Sequence, residues 1–274
     1  MNTFINRKFT TNQFAKMHNI NKKTLMYYDD IGLFRPIEVR ENGYRYYSFQ
    51  QNATLTSILL LRKMQVPLKE IKKYINNYTQ DMLLDLLKSQ DQIIDEKIEE
   101  LLWLKKIMQN KITDIEENKF TNFNKIEIVK EKKRPILISQ NISNMALEDV
   151  VPIVSDFIRY CYQNRLYCGY SSGIIVDADK LRQEKTKILK NFYYCADAQV
   201  TDNKAFSYIP AGHYLTAYYK GLFLELNDFY KKIFDYAHEH KINCGKHIYE
   251  EKMLDDMAAK DFEYVELKIS LPVK

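Results

Sequence analysis

Glycine and proline are scarce in this chain, whose 274 residues include only seven glycines and six prolines. Neither occurs between residues 82 and 117, so nothing in that stretch interrupts a helix. No uninterrupted apolar run approaches the roughly 20 residues that a membrane-spanning helix needs. The N-terminal segment MNTFINRKF lacks the apolar stretch of a signal peptide. We therefore expect a cytoplasmic protein that does not enter a membrane.

Cysteine pairs with metal-binding spacing are missing as well. The four cysteines, which form no C-x-x-C motif, are Cys161, Cys168, Cys195 and Cys244. Four free thiols are expected, rather than disulfides or a zinc site. The sequence also has no nucleophile elbow, no phosphate-binding loop and no His/Cys set with metal-ligand spacing. An enzyme, a metal site and a cofactor are therefore not predicted.

Positive charge is concentrated at the N-terminal end. Residues 1 to 75 contain thirteen Lys or Arg and five Asp or Glu, a net charge of +8, whereas the whole chain carries +5. The remaining residues therefore sum to −3. A basic module on a mildly acidic remainder predicts that a polyanion binds the first module alone.

Two short helices are predicted inside this basic module. Thr10 and Gln13 have the spacing of a capping box and open the first helix, in TTNQFAKMHNIN. The second helix should begin near Asn21, a favourable N-cap, and stop at Gly32. Two helices separated by about three residues form a helix-turn-helix candidate, in which the second helix, KKTLMYYDDIGLF, contacts base edges in the major groove.

A small basic β-wing is predicted after Pro36. The Asn42-Gly43 pair is typical of a type I′ hairpin, and it lies between extended runs that carry Arg40 and Arg45. A second capping box and a proline at a first-turn position then predict two further helices, the latter over LKEIKKYI.

A heptad repeat runs through the stretch that lacks glycine and proline. One set of positions is apolar throughout, and three of five positions in the other set are apolar. The first set is Leu87, Ile94, Leu101, Met108 and Ile115; the second is Leu84, Asp91, Ile98, Lys105 and Ile112. A single helix cannot bury such a stripe, so a coiled-coil homodimer is expected, with Asp91 and Lys105 fixing its register.

The rest of the chain alternates strand-like runs with helical patterns. Runs such as KIEIVKE, HYLTAYY and EYVELKISL surround helical patterns near residues 147 to 163 and 223 to 240. This order predicts an α+β domain with an antiparallel sheet.

Two resemblances follow from these motifs. YYDDIGLF and NGYRYY, followed by a second helix pair and a long helix, resemble the DNA-binding half of MerR-family transcription regulators over residues 9 to about 118. The C-terminal half is similar to the GyrI-like effector-binding domains of BmrR-like multidrug-responsive regulators, through IPAGHY, IYEE and YVELKISLPV. That resemblance implies two opposed strand-helix-strand-strand units around a ligand cleft.

The organisation implied is multidomain and α+β. It comprises a winged helix-turn-helix DNA-binding domain over residues 1–80, a coiled-coil dimerisation helix over 81–118, a linker over 119–124 and an antiparallel α+β GyrI-like domain over 125–274. Two residues depart from the family pattern. Met26 stands where an Arg is usual, which removes one expected DNA contact, and Gln65 stands where Gly is usual at a helix end.

The resemblance also implies a set of DNA contacts. Lys22, Lys23, Thr24 and Tyr27 should face the major groove and its phosphates, while Arg40, Arg45 and Arg62 contact the backbone. A single lysine at any of these positions would be typical of an ordinary solvated surface. Because the basic residues cluster on one module, DNA contact is the favoured interpretation. Tyr28 and Tyr46 are expected to be scaffold residues.

An aromatic cleft that contains one carboxylate suits lipophilic cations. The family register assigns that carboxylate to Glu250. The wall residues it implies are Tyr170, Tyr214, Tyr219 and Tyr264. Strict strand alternation instead places Glu251 on the face shared by Tyr249 and Met253. We follow the family register here, and Glu251 stays open as the alternative.

What the resemblance implies for function is a homodimer on double-stranded promoter DNA. A small effector makes the dimer bend and untwist the promoter, so that RNA polymerase can engage both promoter elements. Two alternatives are a metal- or redox-sensing regulator of the same family and a hydrolase that uses Glu250 or His213 as its base. The first resembles shorter chains with cysteines at the end of the dimer helix, whereas the first cysteine here is Cys161.

Overall fold

The computed structural model describes residues 7–123, 125–170, 172–184, 187–197, 204–253 and 264–274. The chain divides into two compact units, Met1–Glu99 and Glu100–Lys274. Among the described residues, no helix combines the length and the apolar composition needed to cross a membrane.

The N-terminal unit is a winged helix-turn-helix followed by a helix pair. Its elements are strand β1 (Lys8–Thr10), helices α1 (Thr11–Met17) and α2 (Lys22–Asp30), strands β2 (Glu38–Val39) and β3 (Arg45–Ser48), helices α3 (Gln51–Lys63) and α4 (Leu68–Asn77), and the first part of α5 (Gln80–Asn118). The three strands form an antiparallel sheet in the order β1, β3, β2. The predicted order of helices and wing is confirmed.

Local sequence fixes the beginnings of the first two helices. The Gln13 N–H donates to Thr10 Oγ1 at 3.4 Å, and the Thr10 N–H donates to Gln13 Oε1 at 3.0 Å, which completes the predicted capping box. In α2, the Lys23 N–H donates to the side chain of Asn21 at 2.9 Å. The second predicted capping box is half formed, because the Ser48 N–H reaches Gln51 Oε1 at 3.0 Å while Ser48 Oγ has no partner among the described residues.

The turn of the wing differs from the predicted type I′ hairpin. Type I′ requires positive φ at both central residues, but only Gly43 has it, at +78°; Asn42 does not. The Gly43 N–H donates to Arg40 O at 2.8 Å, and the Arg40 N–H donates to Tyr44 O at 3.0 Å. A three-residue loop of this kind is a type I turn followed by a left-handed glycine. The hairpin prediction is therefore correct, and its turn type is wrong.

Stacked aromatic rings join the helices of this unit to the wing. The Tyr47 ring stacks on Phe14 at 5.1 Å and on Phe34 at 5.6 Å between centroids, and all three side chains are buried. Burial raises the pKa of Tyr47 to about 12. Tyr28, expected to be scaffold, is also buried. The packing fixes α1 against β3 and so holds α2 beside the wing.

Helix α5 contains the predicted heptad repeat in a single 39-residue helix. Much of its stripe is exposed: Leu101 is 64% exposed, and Met108, Ile112 and Ile115 are each more than half exposed. The predicted long helix is confirmed, and an apolar stripe along it faces solvent in the single chain.

The C-terminal unit is built on one antiparallel sheet. After the last part of α5, its elements are β4 (Ile126–Glu131), β5 (Arg134–Ile138), α6 (Leu147–Gln163), β6 (Ser172–Asp177), α7 (Ala178–Glu184), β7 (Leu189–Cys195), β8 (Phe206–Ile209), β9 (Gly212–Leu222), a 3₁₀ turn (Phe223–Glu225), α8 (Leu226–Glu239), β10 (His247–Lys252) and β11 (Tyr264–Val273). The strand order is β4-β9-β11-β10-β6-β7-β5-β8. Two strand-helix-strand-strand units, β5-α6-β6-β7 and β9-α8-β10-β11, meet where β10 pairs with β6.

The two faces of this sheet differ in what covers them. Helix α8 packs on the face of Ile174, and α6 packs on Phe192. These two residues lie directly opposite each other across β6 and β7, so both helices cover the same face, which we call the helix face. The other face carries Tyr249 in contact with both Tyr193 and Tyr214, and we call it the tyrosine face.

Candidate functional site

The first turns of α2 carry exposed polar side chains, as the recognition helix requires. Lys22 and Lys23 are exposed, Thr24 is half-buried, and Tyr27 is half exposed. Leu25 and Tyr28, on the other side of the helix, are buried in the core. The buried residues thus orient α2 so that its basic first turn is directed to solvent.

The three arginines expected at the DNA backbone differ in how tightly neighbouring residues hold their side chains. Arg40 is exposed, and its guanidinium lies 4.4 Å from the centre of the Tyr46 ring. Arg62 is exposed, and its Nη1 donates to Val66 O at 2.7 Å. Arg45 is held more tightly, because its Nε lies 2.6 Å from Asp29 Oδ2. Arg45 therefore also links α2 to the wing, a role that its position in the sequence did not indicate.

A cavity of about 410 Å³ lies between the recognition helix and the wing. Lys22 and Met26 line it from α2, and Gly43 and Tyr44 line it from the wing tip. Met26 is 40% exposed. The departure at position 26 thus places an apolar side chain on the surface between the two elements expected to touch DNA.

The departure at position 65 is accommodated by a left-handed backbone. Gln65 has a φ of +66°, the conformation that glycine adopts without strain. Its N–H donates to Arg62 O at 2.9 Å, and the Lys97 ammonium donates to its side-chain oxygen. The helix ends as the family pattern implies, at the cost of a strained residue.

Two buried carboxylates follow each other on β10 in the C-terminal unit. Glu250 is 5% exposed and lies on the helix face, where it pairs with Ile174 and Ile269 of the neighbouring strands. The Lys187 ammonium lies 3.0 Å from its Oε1 and 2.8 Å from its Oε2, and the Tyr230 hydroxyl also donates to Oε2. Burial and the charge of Glu250 raise the pKa of Tyr230 well above its ordinary value, which keeps that donor protonated.

Glu251 is equally buried but lies on the tyrosine face, opposite Gly173 and Lys268. Arg134 forms two bonds to it, Nη1 to Oε1 at 2.9 Å and Nη2 to Oε2 at 3.1 Å. The Cys195 thiol lies 3.5 Å from Oε1, and burial together with this carboxylate raises the pKa of that thiol well above its ordinary range. A two-bond ion pair is a favourable geometry for a buried carboxylate.

A cavity of about 320 Å³ opens beside this ion pair. Arg134, Glu251 and Tyr170 line it from the sheet and its loops, and Glu117 and Asn118 line it from the end of α5. Arg134 Nε is buried and has no hydrogen-bond partner among the described residues. The cavity therefore combines an ion pair, an aromatic ring, an unused donor and a wall of the long helix.

The C-terminal half of α5 is held against the α6–β6 connection by directional contacts. Trp103 Nε1 donates to Tyr167 O, and Asn110 Nδ2 donates to Cys168 O, both at 2.7 Å. Gly169 has a φ of +86°, and a Cβ atom there would lie 2.5 Å from Ile107 O. Only glycine permits this approach of loop backbone to helix backbone.

The five predicted ligand-binding residues are not assembled in one place. Tyr170 lines the cavity beside Glu251, and Tyr214 is buried on the tyrosine face. Glu250 and Tyr219 lie on the helix face, and Tyr264 lies at the exposed beginning of β11. Their ligand-binding roles stay predictions.

Three residues that matter here, Arg134, Lys187 and Tyr230, were not among the candidates. Each pairs with a glutamate at least twenty positions away in the chain, and no local pattern signals such a pair. All four cysteines are unpaired. Within the described ranges, no group of three or more His, Cys, Asp or Glu is placed to hold a metal ion.

Comparison with known proteins agrees with the helix-turn-helix geometry. Residues 9–78 match the model of the MerR HTH family regulatory proteins. The multidrug-efflux transporter 2 regulator of Bacillus subtilis (strain 168) is 34% identical over 274 residues, which cover 100% of this chain and 99% of that protein. The chain belongs to the MerR family of transcription regulators.

Another regulator matches over a shorter stretch, and one solved structure matches over nearly the whole chain. The multidrug-efflux transporter 1 regulator of the same organism is 33% identical over 92 residues, which cover 33% of each protein. Among solved structures, the cryo-EM structure of the EcmrR–DNA complex in EcmrR-RPo is 17% identical with a TM-score of 0.45, and the match covers 97% of this chain and 99% of that one. As a MerR-family regulator the protein is not an enzyme, which removes the hydrolase alternative.

Proposed function

We propose that this regulator binds promoter DNA as a homodimer and activates transcription when a small lipophilic cation occupies the C-terminal unit. The observation that carries the proposal is the full-length similarity to a multidrug-efflux transporter regulator, combined with a cavity that one end of the long helix lines. A protein that acts on promoter DNA together with RNA polymerase works in the cytoplasm.

The DNA-binding side rests on charge and exposure. The net charge of +8 within residues 1–75 occurs twice in a dimer, and phosphate contacts supply most of the affinity of such modules. Lys22, Lys23 and Arg40 are exposed and are the first candidates for those contacts. Two copies related by a two-fold axis require an operator with matching two-fold symmetry.

The homodimer rests on the uncovered stripe of α5. The first heptad set is exposed along its length, from 37% at Leu87 to 64% at Leu101. An apolar seam of this length in water is stabilised by burial against a second copy of itself. Asp91 and Lys105 interrupt the other heptad set and would disfavour shifted registers.

The effector site that we propose is the cavity beside Glu251. Tyr170 supplies an aromatic wall, and the carboxylate supplies the charge that a lipophilic cation needs. In the free protein Arg134 already neutralises Glu251, so a cation must compete with the guanidinium for the carboxylate. This competition gives the cavity two states, one in which Arg134 holds Glu251 and one in which the effector does.

Binding of an effector in the cavity can influence DNA binding because α5 is continuous from Gln80 to Asn118. Glu117 and Asn118 line the cavity, and the heptad seam occupies the same helix. An effector changes the promoter only if its affinity differs between the two DNA-bound states, by an amount comparable to the few kcal/mol that the DNA distortion costs. A compound that binds both states equally leaves transcription unchanged.

The experiment starts with selection of operator duplexes from a random library by the purified protein. We expect near-palindromic sequences, bound with a steep loss of affinity as salt rises. A duplex labelled at both ends then reports bending by energy transfer, with tetraphenylphosphonium as the cationic probe. No enrichment of symmetric sites would contradict the DNA-binding part of the proposal, and energy transfer that the probe leaves unchanged at saturation would contradict the effector part.

Light scattering tests the homodimer separately. Leu101→Lys places a charge in the seam and should shift the dimer toward monomer, whereas Gln92→Lys adds the same charge at an exposed position outside both heptad sets. A wild-type monomer at micromolar concentration, or equal behaviour of the two variants, would contradict the coiled coil.

A further inference from the structure

Met26 is the exposed aliphatic residue of the recognition helix α2. Leu25 and Tyr28 are buried in the core, so the opposite side of the helix is directed to solvent. Met26 lies on that side, one turn beyond Lys22, because residues four positions apart are neighbours on a helix. Its side chain is 40% exposed and is therefore available to a partner.

The charge along α2 determines which part of the helix can approach DNA. Lys22 and Lys23 begin the helix, whereas Asp29 and Asp30 end it. Arg45 pairs with both carboxylates, at 2.6 and 3.8 Å, which leaves this end with a net negative charge that phosphates repel. The first two turns are therefore the part that enters the major groove, as in other recognition helices. The second of these turns carries the exposed methionine.

A methionine side chain gains little from most groups of a DNA duplex. Its uncharged thioether is only a weak acceptor and forms no ion pair with phosphate. Among the base edges of the major groove, the apolar group is the C5-methyl of thymine. Packing on this methyl buries apolar surface, whereas packing on the N7 and O6 acceptors of guanine removes their water without supplying a hydrogen bond. Thymine is therefore the base that Met26 favours.

The position of Met26 also indicates which thymine it reaches. The side chain lines the cavity between α2 and the wing, together with Gly43 and Tyr44 of the wing tip. A duplex that touches both the recognition helix and the wing places one strand of its backbone across this cavity. The C5-methyl lies at the edge of the major groove, beside the backbone of its own strand. The thymine therefore belongs to the strand that passes between the helix and the wing.

We propose that Met26 is a specificity-determining residue that contacts the C5-methyl of one thymine in each half of the operator. This rests on the proposed binding of promoter DNA by a homodimer, and it adds a base contact to phosphate contacts that carry no sequence information themselves. A methionine where the family pattern has arginine thus exchanges charge attraction, which any sequence supplies, for a preference for one base.

The test removes the methyl group and keeps the base pair. Deoxyuridine replaces thymine at each position of the selected operator in turn, and fluorescence anisotropy with the full-length protein gives the affinity for each duplex. We expect one position per half-site at which the substitution weakens binding about fourfold, the factor that burial of one CH₂-sized group gives. Substitution in both half-sites should weaken binding about 15-fold, because distant contacts contribute additively.

Protein variants show whether Met26 makes this contact. Met26→Ala should bind the thymine and deoxyuridine duplexes equally, because the side chain that packs on the methyl is gone. Met26→Leu keeps an apolar side chain and should retain a preference for thymine. The matched control is Met17→Ala, since Met17 is 48% exposed at the end of α1 and lies outside the recognition helix. This control should keep the thymine preference of the wild type.

The outcomes separate this inference from the proposed function. Circular dichroism checks the fold of each variant, and alanine at an exposed helical position preserves the helix. An equal effect of deoxyuridine on the wild type and on Met26→Ala would overturn the contact at Met26. A wild type that binds the operator with no deoxyuridine effect at any position would overturn it as well. Failure to select any operator would overturn the proposed function, and this inference with it.

Discussion

Glu250 and Glu251 are consecutive residues on β10, yet their carboxylates lie on opposite faces of the sheet, and each has its own cation. Lys187 pairs with Glu250 on the helix face, and Arg134 pairs with Glu251 on the tyrosine face. One strand therefore supplies a buried charge to two different cavities. The choice between the two glutamates becomes a choice between two sites.

The first prediction concerns this pair of glutamates. Glu251→Gln should weaken binding of tetraphenylphosphonium by roughly 1–3 kcal/mol, because it removes the carboxylate of the proposed effector cavity. Glu250→Gln is the matched control, since it also leaves a buried cation unpaired but on the other face. Calorimetry measures both. A loss confined to Glu250→Gln would support the family register and contradict our effector cavity.

The second prediction concerns Met26, which lines the surface between the recognition helix and the wing. Met26→Arg adds a cation there and should raise the affinity for operator and unrelated duplexes alike. The slope of log affinity against log salt should become steeper by about 1. Fluorescence anisotropy at several salt concentrations gives both quantities. Unchanged binding to both duplexes would show that position 26 does not face DNA.

The third prediction concerns the left-handed residue at the end of α3. Gln65→Gly should raise the free energy of unfolding by roughly 0.5–1 kcal/mol, because glycine adopts a φ of +66° without strain. The lost bond from exposed Lys97 offsets little of this. Asn19→Gly, at a φ of +54°, is the control and should gain less because Asn tolerates this conformation. Thermal denaturation measures the free energy of unfolding of both variants. An equal increase in Gln65→Gly and Asn19→Gly would contradict the strain argument.

The fourth prediction concerns the buried thiols. Burial raises the pKa of Cys161 to about 12 and that of Cys168 to about 11. A raised thiol pKa means less thiolate at pH 8, so both residues should resist iodoacetamide in the folded protein and react in denaturant. Mass spectrometry assigns the labelled positions. Rapid labelling of either residue at pH 8 in the folded protein would show that it is accessible and ionised.

Features that depend on neighbouring residues were predictable from the sequence. The capping box of Thr10 and Gln13, the end of α2 before Gly32 and the uninterrupted α5 all follow from contacts within a few positions. The turn of the wing was assigned to the wrong type because Asn42-Gly43 suits both loops, and loop length decides between them.

Features that depend on distant pairing were not predictable. Strand alternation correctly placed Glu251 on the face of Tyr249, but nothing near Glu251 indicates Arg134, which is 117 positions away. Nor does the sequence near Lys187 indicate Glu250, 63 positions further on. The motifs indicate that the second unit contains buried carboxylates. The cation that pairs with each carboxylate can be identified only from the strand order.

Gly169 and Gly43 both have positive φ, but their surroundings set very different limits on inherited variation. Around Gly43 no heavy atom from beyond its two chain neighbours lies within 4 Å of where a Cβ would be, so Asn or Asp can replace this glycine with little loss of stability. At Gly169 a Cβ would clash with the backbone of α5, which cannot shift without breaking helical hydrogen bonds. In a library of random single substitutions, we expect the functional variants to carry several residue types at position 43 but only glycine at position 169.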